Sequence, residues 1–557
     1  MTNPTYGPVA TTARHAKRGA RGLRIGSALV ALTCVVPMLA VVLAAVTGGT
    51  DTFEHLAYTV LGRYAGTTLA LVFLSAVGAA ALGVGAATLV TLTRFPGVRL
   101  FEIALILPLA FPAYVLAYAY TFLFDHPGIV QSTLRDITGW GPRDYWFPEV
   151  QSLGGAAAMM VLVLYPYVYL LTRAAFLQQS AAAYLAARML GTGAAQAFFR
   201  VSLPMARPAI AAGVLLVVME TIADYGTVSY FGVQTLATGI YTSWFLLADR
   251  GGAAQLALCL LAFALILAVL ERHQRGDAQY HHAGKAAIDM VRADLRGAAA
   301  AGAVVLCAVP VLLGFVLPVI VLIDMGLGSE QDLFSHRYQG FIRNSITLAG
   351  TAALVTTSAA IIIGYYRRTS TTQLAKSATY AARLGYAVPG GVIAVGLLVP
   401  FAAFDNALDG FMRAQFGMST GLLVTGSIWL LVTAYMVRFL AAALGAYEGG
   451  QSSIHTNMDA AARSLGQTPL GALRRVHLPI LTPSLLTALL IVFVDTMKEL
   501  PATLIMRPFN FDTLAVQAHR LASDERLEGA AVPSLVIVAV GLLPVILICR
   551  QIGRRRH

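Results

Sequence analysis

Twelve apolar blocks, each about twenty residues long, constrain this chain more than any other feature. They run near 26–47, 67–92, 102–124, 155–177, 208–228 and 253–270, then near 298–325, 344–365, 384–404, 420–444, 480–500 and 530–549. A helix of that length crosses a hydrocarbon core of roughly 30 Å. Composition agrees, since 57% of the residues are hydrophobic and 12% charged, about half the roughly 25% charge of a soluble domain. The 557 residues would be long enough for several soluble domains, but the blocks argue against them. The expected fold is an all-α integral membrane protein with about twelve transmembrane helices.

A polar stretch, ERHQRGDAQYHHAGKAAIDMVRADLR, divides the blocks into six and six. The expected organisation is a basic N-terminus (1–25), a first half (26–271), a linker (272–297) and a second half (298–557). The 39 basic residues against 27 acidic ones would suit nucleic acid, but their placement points to a membrane. With the N-terminus inside, 27 of the 39 fall in segments facing the cytoplasm, and Arg438 adds one more. Such a bias orients membrane proteins, so both termini are expected in the cytoplasm and anionic lipid is the expected basic-patch partner. No nucleic-acid partner is expected. Arg14, Lys17, Arg18, Arg21 and Arg24 precede the first block as in a signal peptide, but no clean small-residue cleavage site follows, so an uncleaved helix is expected. The four cysteines (Cys34, Cys259, Cys307, Cys549) lie inside apolar blocks without CxxC spacing, which reads as core packing. His281-His282, in the linker, reads as solvated. The series Tyr114, Tyr118, Tyr120 reads as packing.

An internal repeat carries the most functional information. Residues 186–204 read AARMLGTGAAQAFFRVSLP and residues 461–479 read AARSLGQTPLGALRRVHLP, at a constant offset of 275. Each copy precedes the fifth block of its half, on the side assigned to the cytoplasm. The halves are therefore expected to be parallel and pseudo-symmetric. Each copy reads as a short helix (Ala186-Ala187, Ala461-Ala462), a break at Gly191 or Gly466, and a proline (Pro204, Pro479) where the next membrane helix starts. An amphipathic interfacial helix is the plain alternative, and finding two copies on one face weighs against it.

The spacing A-A-x3-G-x9-[IV]-x-L-P resembles the EAA motif of bacterial ABC importer permeases. In that family the loop docks into an ATP-binding subunit. The resemblance carries this coupling role to Ala186, Ala187, Gly191, Val201, Leu203 and Pro204 in a loop of about 178–206. In a loop of about 448–481 it carries it to Ala461, Ala462, Gly466, Val476, Leu478 and Pro479. The motif's leading glutamate is absent: Leu185 and Ala460 stand there, with Asp459 one position earlier in the second copy. The stretches PLAFPAYVLAYAYTFLFD (108–125), DYGTVSYFGVQTLATGIY (224–241) and KELPATLIMRPFNFDTLAVQA (498–518) resemble the fused two-half ferric iron permeases. That resemblance implies a non-catalytic permease in the bacterial inner membrane. Two copies of a separate ATP-binding subunit would carry ATP and Mg²⁺, a periplasmic binding protein would deliver substrate, and Fe³⁺ would be the cargo. Related permeases carry thiamine, phosphonates or polyamines, and these remain alternatives.

At the same offset Glu220 matches Asp495 and Asp224 matches Glu499. Each pair is four apart and is expected to share a helical face. Carboxylates near the bilayer centre cost roughly 2.5–3.5 kcal/mol each, so a polar pathway lined by Glu220, Asp224, Tyr225, Asp495 and Glu499 is one reading. Oxygen donors of this kind suit a hard cation. The other reading is structural, with Lys498 neutralising Asp495 and Asp224 capping a helix. A permanent metal site is not expected, because transport needs release. The chain has no P-loop GxxxxGK[ST] and no HExxH, so it holds no ATP-hydrolysing motif of its own. A secondary transporter driven by an ion gradient is the competing class, and the parallel repeat with paired inner-face loops argues against it.

Overall fold

The computed structural model describes residues 9–49, 54–179, 181–275, 292–329, 331–332 and 335–554. Most of the linker (276–291, with His281 and His282) lies outside the described residues, as do residues 1–8. The described chain is helical nearly throughout. Its first part holds α1 (Val9–Thr47), α2 (Gly62–Leu92), α3 (Val98–Ala104), α4 (Ala113–Phe124), α5 (Ile129–Thr138), α6 (Leu153–Gln178) and α7 (Ala181–Met189). There follow α8 (Leu203–Ala223), α9 (Gly226–Tyr230), α10 (Leu236–Tyr241), α11 (Arg250–Arg275), α12 (Ala298–Val311) and α13 (Leu317–Leu327). The rest holds α14 (His336–Thr369), α15 (Gln373–Leu384), α16 (Gly390–Phe416), α17 (Ile428–Gln451), α18 (Thr456–Ser464), α19 (Leu478–Met497), α20 (Pro501–Met506), α21 (Leu514–Ser523) and α22 (Leu527–Arg554). The strand pairing among the described residues is two residues long, Thr93–Arg94 beside Ala293–Asp294.

Among the described residues, eleven stretches are long and apolar enough to cross a membrane, and a bent pair brings the count to twelve. The protein is an all-α, multi-pass membrane protein. Many large apolar side chains, Leu43, Phe73, Leu306 and Leu354 among them, point outward, as lipid-facing residues must. Fully buried tyrosines such as Tyr118, Tyr165, Tyr169 and Tyr435 fill the interior.

The bent pair corrects the expected third span. Block 102–124 is not one helix: Val98–Ala110 and Ala113–Thr138 meet at 92°. The cause is Pro112. It offers no N–H and drives Phe111 into an extended conformation (φ −84°, ψ 134°), so the chain leaves the helix there. Pro389 acts alike in the second half, where Val388 is extended (φ −90°, ψ 120°) and α16 begins at the next residue after the proline. The halves then diverge. Asp125-His126-Pro127-Gly128 ends α4 after twelve residues, whereas α16 runs on for 27. A side chain at Gly128 would come within 2.7 Å of the Leu123 and Asp125 carbonyl oxygens, so only glycine fits that turn.

Packing divides the chain into two units that cut across the sequence halves. One gathers α1 with Gly340–Asp512, and the other gathers Thr50–Gln339 with Thr513–His557. Within the first, α1 lies along α15 and α16. It packs so closely that a Cβ at Gly396 would stand 2.2 Å from the Pro37 carbonyl oxygen. Within the second, α13 packs on α22 and α4. The leading helix of each sequence half thus packs on the third-span region of the other half, and α13 also packs on α22 of its own half.

One interhelical tie recurs with its signs exchanged. In the second unit Arg173 of α6 meets Glu102 of α3 at 3.4 Å, both buried (8% and 4% exposed). At offset 275 from Arg173 stands Glu448 of α17. It meets Arg383 of α15 at 2.6 Å, with 59% of the arginine and 33% of the glutamate side chain exposed.

Candidate functional site: two repeated loops and two capping carboxylates

The two loops repeat residue for residue. Helix α7 maps to α18, the turn Ala194–Ala197 to Pro469–Ala472, the π turn Phe198–Ser202 to Leu473–His477, and the start of α8 to that of α19, all at offset 275. Gly191 and Gly466 both adopt the left-handed conformation, with φ of +86° and +75°. Such a glycine closes a helix by letting later amides bond back to its last carbonyls. Thr192 N donates to the Ala187 oxygen at 3.2 Å, and Gln467 N donates to the Ala462 oxygen at 3.0 Å. Leu190 N and Leu465 N donate to the Ala186 and Ala461 oxygens, both at 3.0 Å. The Ala-Ala pairs therefore supply the carbonyls that close the break.

Leu203-Pro204 and Leu478-Pro479 open α8 and α19. A proline at the second helical position has no N–H for the carbonyl four residues back and crowds it. The preceding turn widens to a π turn in both copies, a frequent device at functional sites. Next to the breaks, Leu190 and Leu465 occupy matching positions and are 85% and 79% exposed.

Asp459 does not project freely from the second loop. Its Oδ2 accepts from Arg368 Nε at 2.8 Å, and its Oδ1 lies 2.6 Å from His477 Nε2. Burial pushes its pKa up, but the hydrogen bonds from Arg368 and His477 and their charge outweigh that and hold the carboxyl below its usual range. Sequence reasoning missed Arg368 and His477, which stand 91 and 18 residues from Asp459.

The fifth spans stop short of their expected ends. Helix α8 ends at Ala223 and α19 at Met497. Asp224 is extended (φ −69°, ψ 134°), so the four-residue spacing does not put Glu220 and Asp224 on one helical face, because the helix ends between them. Both carboxylates cap the short helix that follows. Asp224 Oδ1 accepts from Thr227 N (3.0 Å) and Val228 N (3.2 Å), and its Oδ2 accepts from Thr227 Oγ1 (3.1 Å). Glu499 Oε1 accepts from Ala502 N (2.9 Å), and its Oε2 accepts from Thr503 N (3.2 Å) and Thr503 Oγ1 (2.9 Å). A carboxylate at a helix N-terminus satisfies orphan amides and faces the positive end of the dipole. Glu499 also receives the Tyr435 hydroxyl at 3.2 Å and lies 3.7 Å from Arg438. Asp495 pairs with Lys498 at 3.0 Å, while Glu220 sits half-buried one turn before Asp224.

Tyr225 stacks on Tyr241 with ring centroids 3.7 Å apart and turns its edge to His519 at 5.8 Å. His519 Nδ1 lies 3.0 Å from the Tyr118 hydroxyl. Burial pushes the imidazole pKa down to about 4, so it is neutral near pH 7. Among the described residues no group of three or more His, Cys, Asp or Glu is placed to hold a metal ion. The spacing G-x-S-x-G does occur, at Gly417-Met418-Ser419-Thr420-Gly421. Its serine partners Arg413 (3.0 Å) and Asp409 (2.8 Å), not a histidine, in the turn after α16. It is a helix-end cap rather than a nucleophile elbow.

Residues 79–275 match the family described as binding-protein-dependent transport system inner membrane component. Residues 79–275 thus resemble an inner membrane component of a binding-protein-dependent transport system. That stretch includes the first repeated loop and the Asp224 cap. A wider similarity covers both halves. The chain is 26% identical over 530 residues to the Fe(3+)-transport system permease protein FbpB 2 of Haemophilus influenzae, covering 93% of this chain and 96% of that one. It is 24% identical over 465 residues to the ferric transport system permease protein FbpB of Actinobacillus pleuropneumoniae, covering 79% of this chain and 64% of the relative. A putative 2-aminoethylphosphonate transport system permease protein, PhnU of Salmonella choleraesuis, is 27% identical over 232 residues, 40% of this chain and 79% of its own length. The resemblance read from the repeat and its neighbouring stretches is thus found independently, and the relatives are transport permeases.

Proposed function

We propose that this chain is the permease subunit of an ATP-driven importer that moves ferric iron from periplasm to cytoplasm. In this reading both termini face the cytoplasm, and two copies of a separate ATP-binding subunit carry ATP and Mg²⁺. They dock on the loops around Gly191 and Gly466, and a periplasmic binding protein delivers the ion. The observation that carries the reading is the pair of loops with one backbone pattern and exposed leucines at matching positions. Ferric iron is favoured over phosphonate because similarity to the Fe(3+) permease runs through both halves, whereas the phosphonate relatives match 28–40% of the chain.

The closing of the ATP-binding subunits would pull on the two loops. The π turns and prolines at the starts of α8 and α19 would pass that pull into the fifth spans. Asp224 and Glu499 then act mainly as braces that hold the far ends of those spans in shape. Their oxygens are engaged by amides and hydroxyls. Iron is cargo and has no resident site.

The test is reconstitution of the chain with its ATP-binding subunit and binding protein in sealed vesicles, with radioiron offered on the binding-protein side. ATP-dependent iron uptake that excess 2-aminoethylphosphonate does not suppress is expected. Uptake that runs without ATP on an imposed ion gradient would overturn the reading.

A further inference from the structure

The last turns of α14 grip both arms of the second loop. From that turn, Arg368 Nε donates to Asp459 Oδ2 at 2.8 Å, and its Nη2 lies 2.7 Å from the same oxygen. Nη2 also donates to the Ile454 carbonyl at 2.8 Å, and Nη1 to the Gln451 carbonyl at 3.4 Å. The guanidinium thereby satisfies carbonyls where α17 ends, a favourable place for a cation. One turn earlier, the Tyr365 hydroxyl donates to the Pro469 carbonyl at 2.7 Å, on the arm after Gly466. His477, fully buried, closes the ring from the start of α19: its Nε2 lies 2.6 Å from Asp459 Oδ1 and its ring meets the Tyr365 ring at 5.0 Å, edge to face.

The first loop is built without this grip. At the offset of 275, Tyr184 stands for Asp459 and Ser202 for His477. Helix α2, the counterpart of α14, has no basic residue in its last turn, where α14 has Arg367 and Arg368. Among the described residues no ion pair ties the first loop to a membrane helix.

We infer that Asp459, Arg368 and His477 form a clasp that fixes the second coupling loop to the ends of α14 and α19. Asp459 is then a positioning residue rather than a contact to the ATP-binding subunit. The second loop moves as one body with two membrane helices, while the first is held by a neutral tie, Gln179 Nε2 at the end of α6 donating to the Ser202 carbonyl at 3.0 Å. This rests on the permease reading for its transport consequence but not for the clasp itself.

Two measurements test it. The first needs neither ATP nor iron: hydrogen exchange of the full chain in detergent. Asp459→Asn is expected to raise exchange at Thr456–Ser464 by tenfold or more and leave Ala181–Met189 unchanged. Unchanged exchange at Thr456–Ser464 would overturn the clasp whatever the protein transports. The second uses the chain with its ATP-binding subunit in vesicles. Asp459→Asn and Arg368→Gln are each expected to keep the subunit bound and to lower iron moved per ATP about tenfold. The double variant should be no worse than either, as for residues acting as a unit, and Asp459→Glu should restore most of the ratio. Loss of subunit binding in Asp459→Asn with normal binding in Arg368→Gln would place Asp459 on the partner and overturn the clasp. A wild-type chain that binds no ATP-binding subunit while its exchange pattern holds would overturn the permease reading and leave the clasp standing.

Discussion

The two repeated loops share a backbone and differ in what holds them. Both close a short helix with a left-handed glycine, and both enter the membrane through a π turn and a proline. Among the described residues, only the second is tied to a membrane helix by an Arg–Asp pair, Arg368 with Asp459, to which His477 adds a close contact. The same split recurs at the far ends of the fifth spans. Asp224 and Glu499 cap matching short helices, but among the described residues only Glu499 adds a tyrosine and an arginine. What repeats is the geometry set by glycine, proline and small residues, which tolerate few substitutes. What differs is the side-chain anchoring, which many residue pairs can supply. A duplicated chain keeps the first and is free to specialise the second.

The largest expected effect comes from the two braces. Glu499→Ala removes a cap and takes the buried carboxylate from beside the largely covered Arg438, a loss of about 3 kcal/mol, the low end for a broken buried pair. Asp224→Ala removes a cap, about 1–2 kcal/mol. Melting of the detergent-purified variants should therefore fall further for Glu499→Ala. Equal losses would mean that the arginine contributes nothing to the difference.

The exchanged ion pairs come next. Glu102→Gln leaves Arg173 in a buried setting, and a loss of about 3 kcal/mol is expected. Glu448→Gln breaks an exposed pair with Arg383 and should cost under about 1 kcal/mol, falling with salt. Comparable losses in thermal or denaturant unfolding would show that the two ties are not distinguished by burial.

A smaller effect on stability separates the glycines. Gly191→Val and Gly466→Val each force a side chain into the left-handed region, at roughly 1–2 kcal/mol. Both loops have open space around the glycine, so the chain should still fold. Iron moved per ATP should drop in both variants, and further for Gly466→Val, because a clasped loop has less freedom to relax. A variant pair with normal transport and normal ATP hydrolysis would remove the coupling role from both loops.

Much of this was legible in the sequence. The blocks near 26–47, 155–177, 253–270 and 530–549 became spans close to where hydropathy put them, since twenty apolar residues in lipid can do little else. The loops were legible because Gly191, Gly466, Pro204 and Pro479 act through the backbone, and backbone effects are local. The break at Pro112 was visible as a residue but hidden in the pattern, because apolar sequence continues on both sides of it. The fifth spans looked longer for the same reason, as the helices that follow Asp224 and Glu499 are also apolar. The clasp could not be read, because Arg368 lies 91 residues from Asp459. Nor could the Tyr118–His519 contact, across 401 residues. Only the fold brings such pairs together.

The most direct test of the central claim places single cysteines at Leu190 and Leu465 in a chain whose four native cysteines are replaced by serine or alanine. The account predicts that both react with a membrane-impermeant maleimide from the cytoplasmic face alone, and that adding the ATP-binding subunit protects both. Labelling from the periplasmic face, or full reactivity of both positions with the subunit bound, would contradict it.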